Sequence, residues 1–177
     1  MLPLVIPETE LYDEVRNEFI FVKQQKLVLE HSLLSLSKWE SKWHKPFLSK
    51  KEKTEDEIFD YIRCMTVNSV DENVYLCLSQ EMVNQINKYI EDSMTATTIN
   101  DKRSPSREIV TAEIIYYWMV ALQIPFECQK WHLNRLLTLI DVCSIKNQPP
   151  KKMSQKAILS RNASLNAARR RALHSKG

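Results

Sequence analysis

The chain has 177 residues, of which 44% are hydrophobic and 27% charged, a composition typical of a globular protein with one domain, or one domain and a tail. Its one glycine is Gly177, so a phosphate-binding loop, a dinucleotide-binding turn and a nucleophile elbow, which all need glycine, are excluded. Residues 1–100 carry 11 basic and 17 acidic side chains, whereas residues 101–177 carry 14 and 5.

The lack of glycine also disfavours sheets with many tight hairpins. We therefore predict a mainly α fold: about six helices, a small N-terminal antiparallel β element and a basic C-terminal helix. The expected divisions are a β element over residues 1–31, a helical core over 32–146, and a Pro-Pro linker with a basic amphipathic helix over 147–177.

The N-terminal residues contain three short β-prone runs. Leu2–Ile6, an apolar run that includes Pro3 and ends before Pro7, predicts an edge strand. Glu18–Phe21 and Lys26–His31 predict two further strands of a small antiparallel sheet. Residues Glu8–Arg16 are interpreted as a helical turn between strands.

Capping residues mark the starts of four helices in the first hundred residues. The predicted helices run from Ser32 to about Lys45, from Thr54 through Met65, from Asp71 to about Leu78, and from Ser79 to Met94. The acidic residues that follow Thr54 are explained by capping and by the helix dipole; they are Glu55, Asp56, Glu57 and Asp60.

Three more helices are predicted in the second half of the chain. One begins at Ser104-Pro105 and runs to about Gln123; because it is apolar almost all round, we expect it to be the central buried helix. The next runs from Phe126 to about Ile145. After the Asn147–Pro150 linker, Ser154 caps a last helix to about Leu173, whose apolar stripe is thin.

Cys128 and His132 stand four residues apart, a spacing that can place two ligands on one metal. Structural zinc usually takes four ligands from paired motifs, so a buried cysteine beside a hydrogen-bonded histidine is preferred. With Asn134 they also match the residue types of nucleophilic catalysis, but neighbours on one helix do not converge on a substrate. We expect no metal, no cofactor and no enzymatic activity.

Trp39 and Trp43 lie four residues apart, on one face of a predicted helix, and Phe47 follows. One interpretation is that these aromatic side chains anchor the helix to the core. The other is that they form a partly exposed anchor for a partner protein, since tryptophan is enriched at interaction hot spots.

The basic C-terminal segment has three interpretations: a solvated helix, a contact with an acidic protein surface, or a nucleic-acid-binding tail whose affinity falls steeply with salt. Its partner-binding candidates are Lys151, Lys152, Lys156, Arg161, Arg169, Arg170 and Arg171, with Lys176 beyond them.

Several segments resemble a family of tailed-phage proteins, the tail assembly chaperones. These are Trp39–Trp43, Pro46–Leu48, Tyr61–Thr66, Tyr89–Asp92, Met94–Thr97, Thr111–Trp118, Ile124–Leu137, and the ending around Asn162, Asn166 and Arg169–Arg170. Together they span most of the chain. The resemblance transfers no functional residue.

The resemblance implies a protein that binds the long, hydrophobic tape-measure protein while tail-tube subunits polymerise around it, and that is absent from the finished particle. The implied partner is the tape-measure protein or another tail protein, with a homo-oligomer also possible. A virion structural component of the tail, neck or baseplate and a nucleic-acid-binding protein stay open as alternatives. Since the first ten residues do not resemble a signal peptide and no apolar run approaches the roughly 20 residues of a membrane span, we expect the host cytoplasm.

Overall fold

The computed structural model describes residues 1–13, 17–99, 109–148 and 154–173. The fold is mainly helical with a small N-terminal antiparallel β element, as predicted. The strands are β1 Leu2–Ile6, β2 Thr9–Asp13, β3 Glu18–Val22 and β4 Gln25–Leu29. The α-helices are α1 Leu33–Trp43, α2 Glu55–Met65, α3 Gln80–Glu91, α4 Ala112–Ala121, α5 Leu133–Asn147 and α6 Gln155–Ala172, and short 3-10 helices span Glu72–Cys77 and Phe126–Lys130. The chain divides into two units, Met1–Lys146 and Asn147–Gly177.

The four strands form one long hairpin with a constant register. β1 pairs with β4, from Leu2 opposite Leu29, and β2 pairs with β3, ending with Asp13 opposite Glu18. The hydrogen-bond ladder is interrupted at residues 7–8 and at the opposing residues 23–24. Pro7 contributes to this interruption because proline has no N–H to donate. The strand predictions are confirmed, except that β4 ends at Leu29 and not at the predicted His31. The helical turn predicted for Glu8–Arg16 is wrong over residues 9–13, which extend the hairpin, and residues 14–16 lie outside the described residues.

The predicted caps of the first helices are confirmed. The Ser32 side chain accepts a hydrogen bond from the Ser35 amide at 3.3 Å, and Thr54 and Glu57 form the reciprocal capping box. α1 ends at Trp43, slightly before the predicted Lys45, because His44 adopts a left-handed conformation with φ of 54°. Asp71, Ser79 and Ser154 also cap the helices that follow them.

α4 differs from its prediction in both start and burial. It begins at Ala112, residues 109–111 are not helical, and the predicted start at residues 104–105 lies outside the described residues. Ala112, Ile115 and Met119 are buried, whereas Tyr117 and Val120 are 68% and 61% exposed. The helix is therefore packed on one face only, and the expectation of a wholly buried helix is wrong.

The helix predicted from Phe126 to Ile145 is interrupted at Trp131 and His132. A 3-10 helix precedes them, and α5 begins at Leu133. His132 forms an antiparallel bridge with Ser32, and the Leu133 amide donates to the His31 carbonyl at 2.7 Å. This tertiary pairing joins the end of the hairpin to the start of α5.

Helix α1 contributes to both clusters of the hydrophobic core. Trp39 packs with the buried side chains of the hairpin, α2 and α3. Leu33 and Leu36 pack with those of α4 and α5. Phe47, just after α1, contacts both clusters.

Candidate functional site

The predicted aromatic group is a single cluster of ring contacts beside α1. Trp39 is 1% exposed, and its indole N–H donates to the Glu57 carbonyl at 2.8 Å. The ring centroids of Trp39 and Trp43 lie 6.2 Å apart, and Phe47 stacks on Tyr61 at 3.8 Å. Trp39 anchors α1 to α2 from inside the protein, whereas Trp43 and Phe47 are half-buried.

Three carboxylates fix the surroundings of this cluster. Glu40 accepts hydrogen bonds from the Phe47 amide at 2.8 Å and the Ala112 amide at 2.7 Å. Glu57 caps α2, as predicted, and also pairs with Lys45. The hydrogen bond from Lys45 is the main reason that the Glu57 pKa lies below its usual value, and the bond from the Thr54 amide adds to it. These contacts fix both the loop after α1 and the start of α4.

The capping role predicted for Asp60 is wrong, because the acidic residues in the first turn of α2 are Glu55, Asp56 and Glu57 and Asp60 lies beyond them. Its carboxylate accepts a hydrogen bond from the Trp43 indole at 2.8 Å and pairs with Lys42. Burial acts to raise the Asp60 pKa, but the bonds from Lys42 and Trp43 outweigh it, so the pKa lies below the usual value. Asp60 therefore holds the Trp43 ring in position.

Trp43 borders a groove between α1, α2 and the 3-10 helix Glu72–Cys77, which we call the Trp43 groove. Its volume is about 530 Å³. Phe59 and Leu76 are 40% and 64% exposed there. The lining side chains are Trp43, Phe59, Tyr75, Leu76 and Leu78, with the charged Lys42, Asp56, Asp60 and Arg63. Aromatic and apolar side chains surrounded by polar ones are a common arrangement in protein-binding surfaces.

A second groove, of about 660 Å³, lies between the loop after α1 and the α4–α5 pair. Its lining is largely apolar: Leu48, Ile109, Val110, Trp118 and Leu137, with Ser49, Lys50 and Lys51 at one side. Sequence reasoning assigned Trp118 to the buried core; the structure leaves it half-buried at this groove.

The described basic candidates of the C-terminal segment lie on α6. Lys156, Arg161 and Arg169–Arg171 are all exposed, and none of the described residues of α6 is buried. Lys151 and Lys152 lie outside the described residues. The basic candidates therefore belong to a different unit from the aromatic cluster.

The residue types considered for catalysis are engaged in structural contacts. Cys128 belongs to the 3-10 helix, and burial raises the pKa of its thiol, which disfavours the reactive thiolate. His132 Nε2 lies 2.9 Å from the Tyr89 carbonyl, and the Asn134 amide donates to the Ile90 and Asp92 carbonyls. Across the described ranges, no three His, Cys, Asp or Glu side chains form a group able to hold a metal ion.

A buried histidine pair, which the sequence did not indicate, lies where the hairpin meets α5. The ring centroids of His31 and His132 are 5.1 Å apart, and His31 Nδ1 lies 2.6 Å from the Tyr61 hydroxyl. His31 is 2% exposed. Burial, followed by the proximity of His132, lowers the pKa of His31 to about 4.

This pair predicts a loss of stability in mild acid. The unfolded chain binds a proton at His31 near pH 6.5, whereas the folded chain resists it until about pH 4. The unfolded state therefore holds more protons in this window, and the free energy of unfolding should fall by roughly 3 kcal/mol between pH 7 and pH 4. Urea unfolding at several pH values measures this loss.

His31→Phe, which cannot be protonated, should show a flatter pH profile over this window even if it is less stable at pH 7. His44→Asn, an exposed histidine replaced by a residue that tolerates positive φ, should keep the wild-type slope. Equal slopes for wild type and His31→Phe would contradict the assignment.

The sequence did not reveal two groups of exposed apolar residues. The first group is Phe59 and Leu76, whose exposure was not predicted because helical spacing does not reveal which face of a helix lacks a covering element. The second group is Tyr12, Phe19 and Phe21 in the outer hairpin, strands β2 and β3. Their exposure was not predicted either. Alternation of Phe19 and Phe21 with Ile20 was the available signal.

Comparison with protein-family models, curated proteins and solved structures finds no match to this chain. A search of the described helices finds none long and apolar enough to cross a membrane.

Proposed function

We propose that this chain is a tail assembly chaperone of a tailed phage, which binds the tape-measure protein in the host cytoplasm during tail morphogenesis and acts without catalysis. The segments that resemble this family support the proposal. The Trp43 groove carries it, because it holds apolar side chains open to solvent between charged ones.

The groove offers contacts suited to a hydrophobic chain. Covering the exposed parts of Phe59 and Leu76 would contribute up to about 1–2 kcal/mol each. The charged residues around them, including Lys42 and Arg63, keep the empty surface hydrated. This combination suits a protein that holds an aggregation-prone segment and later releases it.

The groove is largely preformed. Trp43 is held by Asp60, and the Arg63 guanidinium lies 5.3 Å from the centre of the Tyr75 ring. Side chains already fixed by such contacts lose little conformational freedom when a partner binds. An amphipathic helix of the partner is the segment that best fits a groove between helices.

Co-expression with fragments of a tape-measure protein tests the proposal. We expect the wild-type chain to increase the soluble yield of a fragment and to co-purify with it. The double variant Phe59→Ser, Leu76→Ser should weaken this binding about tenfold, which corresponds to about 1.4 kcal/mol.

A matched control replaces two similarly exposed apolar residues on α4, Tyr117→Ser with Val120→Ser, and should bind like wild type. We call this variant the α4 control. No gain in solubility and no co-purification with any fragment would contradict the chaperone assignment. Stoichiometric amounts of the chain in purified particles would instead support a virion structural component.

Nucleic-acid binding is a second candidate, favoured by the exposed Arg169–Arg171 run at the end of α6. Residues 142–177 contain nine basic side chains and no acidic one. This function requires that DNA or RNA be bound by the full chain, with affinity that falls steeply as salt is raised and is lost on removal of residues 151–177.

A further inference from the structure

The second groove, between the loop after α1 and the α4–α5 pair, combines a packed apolar floor with an exposed apolar rim. Val110, Trp118 and Leu137 are half-buried and pack on the core cluster of α4 and α5. At the rim, Leu48 and Ile109 are 39% and 59% exposed. We call this surface the Lys51 groove, after a lysine at its side.

One buried carboxylate holds both walls of the Lys51 groove. Glu40 accepts a hydrogen bond from the Phe47 amide at 2.8 Å, and Leu48 of the groove comes next in the chain. The other oxygen of Glu40 accepts from the Ala112 amide at 2.7 Å, two residues after Val110 of the opposite wall. A groove whose walls are already fixed in this way requires little ordering when a partner binds.

The charge that lines the Lys51 groove has one sign. Lys50 and Lys51 lie at one side, and its described lining contains no carboxylate. Across the described ranges neither lysine forms an ion pair, whereas Lys45, nearby in sequence, pairs with Glu57. The loop over residues 45–53 carries four lysines and one glutamate. The Trp43 groove is lined by charges of both signs, so the Lys51 groove is the one that complements an apolar and acidic surface.

The shape of the Lys51 groove selects a helix as its occupant. Its walls are two helices and a loop, and no described strand lines it, so an extended segment finds no sheet edge to pair with. The rim residue Ile109 is mostly exposed, whereas a small-molecule site encloses most of its ligand. From Ala112 to Trp118, α4 rises about 9 Å, a length that two turns of a bound helix cover.

We propose that the Lys51 groove binds an amphipathic helix of a partner protein, with an apolar stripe on the groove and acidic side chains beside Lys50 and Lys51. Trp118 is the central apolar contact, since tryptophan is enriched among the residues that contribute most to binding. The described lining of this groove shares no residue with that of the Trp43 groove, so the two surfaces can be tested separately.

A synthetic peptide is the probe, so the test needs no tape-measure protein and its outcome is independent of the proposed chaperone function. The peptide has about 15 residues, with leucines at the helical positions i, i+3, i+4 and i+7 and glutamates on both flanks. A matched peptide has lysines in place of the glutamates. Fluorescence anisotropy of each labelled peptide, titrated with the full chain, gives its affinity. The acidic peptide should bind at least about tenfold more tightly than the basic one, and its affinity should fall as salt is raised.

Substitutions locate the bound peptide in the Lys51 groove. Leu48→Ser with Ile109→Ser should weaken binding of the acidic peptide at least about tenfold, whereas the α4 control should bind it like wild type. Lys50→Glu with Lys51→Glu should weaken the acidic peptide about tenfold and tighten the basic one. Circular dichroism verifies that each variant is folded.

Two further variants test the other surfaces that could hold the peptide. Arg169→Glu with Arg170→Glu makes the same change of net charge on the exposed α6 and should bind the acidic peptide like wild type, as should Phe59→Ser with Leu76→Ser. A loss with the first would assign binding to the basic helix, and a loss with the second would assign it to the Trp43 groove. Either result, or no binding of the acidic peptide at about 1 mM, would overturn the proposal.

Discussion

Replacing Trp39 with alanine should lower the free energy of unfolding by about 4 kcal/mol, the range for removing a large aromatic side chain from a core. Trp39 is 1% exposed, packs edge-on against Phe47 at 5.0 Å and donates a hydrogen bond to the Glu57 carbonyl. The variant loses this packing and leaves that carbonyl without its indole donor. Denaturant unfolding monitored by circular dichroism measures the change.

Tyr117→Ala is the matched control, because it removes an exposed aromatic residue and should cost less than about 0.5 kcal/mol. The comparison also separates the two interpretations of the tryptophan pair. If Trp39 acted mainly as an anchor for a partner, its removal would leave stability unchanged and abolish tape-measure capture. A loss below about 1 kcal/mol would contradict the structural role.

Glu40→Ala should destabilise the protein by about 3 kcal/mol, because a part-buried amide at Phe47 and a buried amide at Ala112 both lose the carboxylate that accepts their hydrogen bonds. The Glu40 carboxylate joins the Phe47 amide, just after α1, to the Ala112 amide at the start of α4. The loss of two hydrogen bonds to a carboxylate alone would give a larger effect. The variant no longer buries the Glu40 charge, however, and the desolvation cost that it avoids offsets part of the loss. Denaturant unfolding at pH 7 measures the difference.

Glu40→Gln keeps one acceptor oxygen but turns an amide donor towards a backbone N–H, so it should fall between wild type and Glu40→Ala. Glu52→Ala, an exposed carboxylate in the loop after α1, is the control and should be nearly neutral. Wild-type stability for Glu40→Ala would show that water replaces the carboxylate at both amides.

Local signals in the sequence predicted the elements whose ends are set by neighbouring residues. Ser32 and Thr54 supply side-chain acceptors at fixed spacing from the amides they cap, so the starts of α1 and α2 follow from a few residues of sequence. The strands from Leu2 and Glu18 were recognised from β-prone residues bounded by turns in the same way.

Elements whose ends depend on distant partners were not predicted correctly. Nothing near His132 indicates that it will pair with Ser32 and interrupt a helix that its own sequence favours. Strand β2 was mistaken for a helical turn because its conformation comes from pairing with β3, across residues 14–16. Tertiary hydrogen bonds decided both cases.

The aromatic site was predicted in part. The spacing of Trp39 and Trp43 placed both on one helix face, but it did not show that Trp39 faces inward and that Trp43 borders a groove. Phe59 and Leu76 come from elements that contact α1 only in the folded chain. Their roles depend on which surfaces remain uncovered after packing, and the sequence pattern does not contain that information.

The hydrogen bond from Leu133 to His31 has a consequence for the order of folding during synthesis. These residues are about a hundred positions apart, so the His31 carbonyl has no partner from α5 until most of the chain has left the ribosome. Closing so long a loop is slow relative to forming the local caps of α1 and α2. The contact between the end of the hairpin and the start of α5 should thus be among the last parts of the protein to form. The N-terminal residues, although they are synthesised first, reach their final set of hydrogen bonds only at this step.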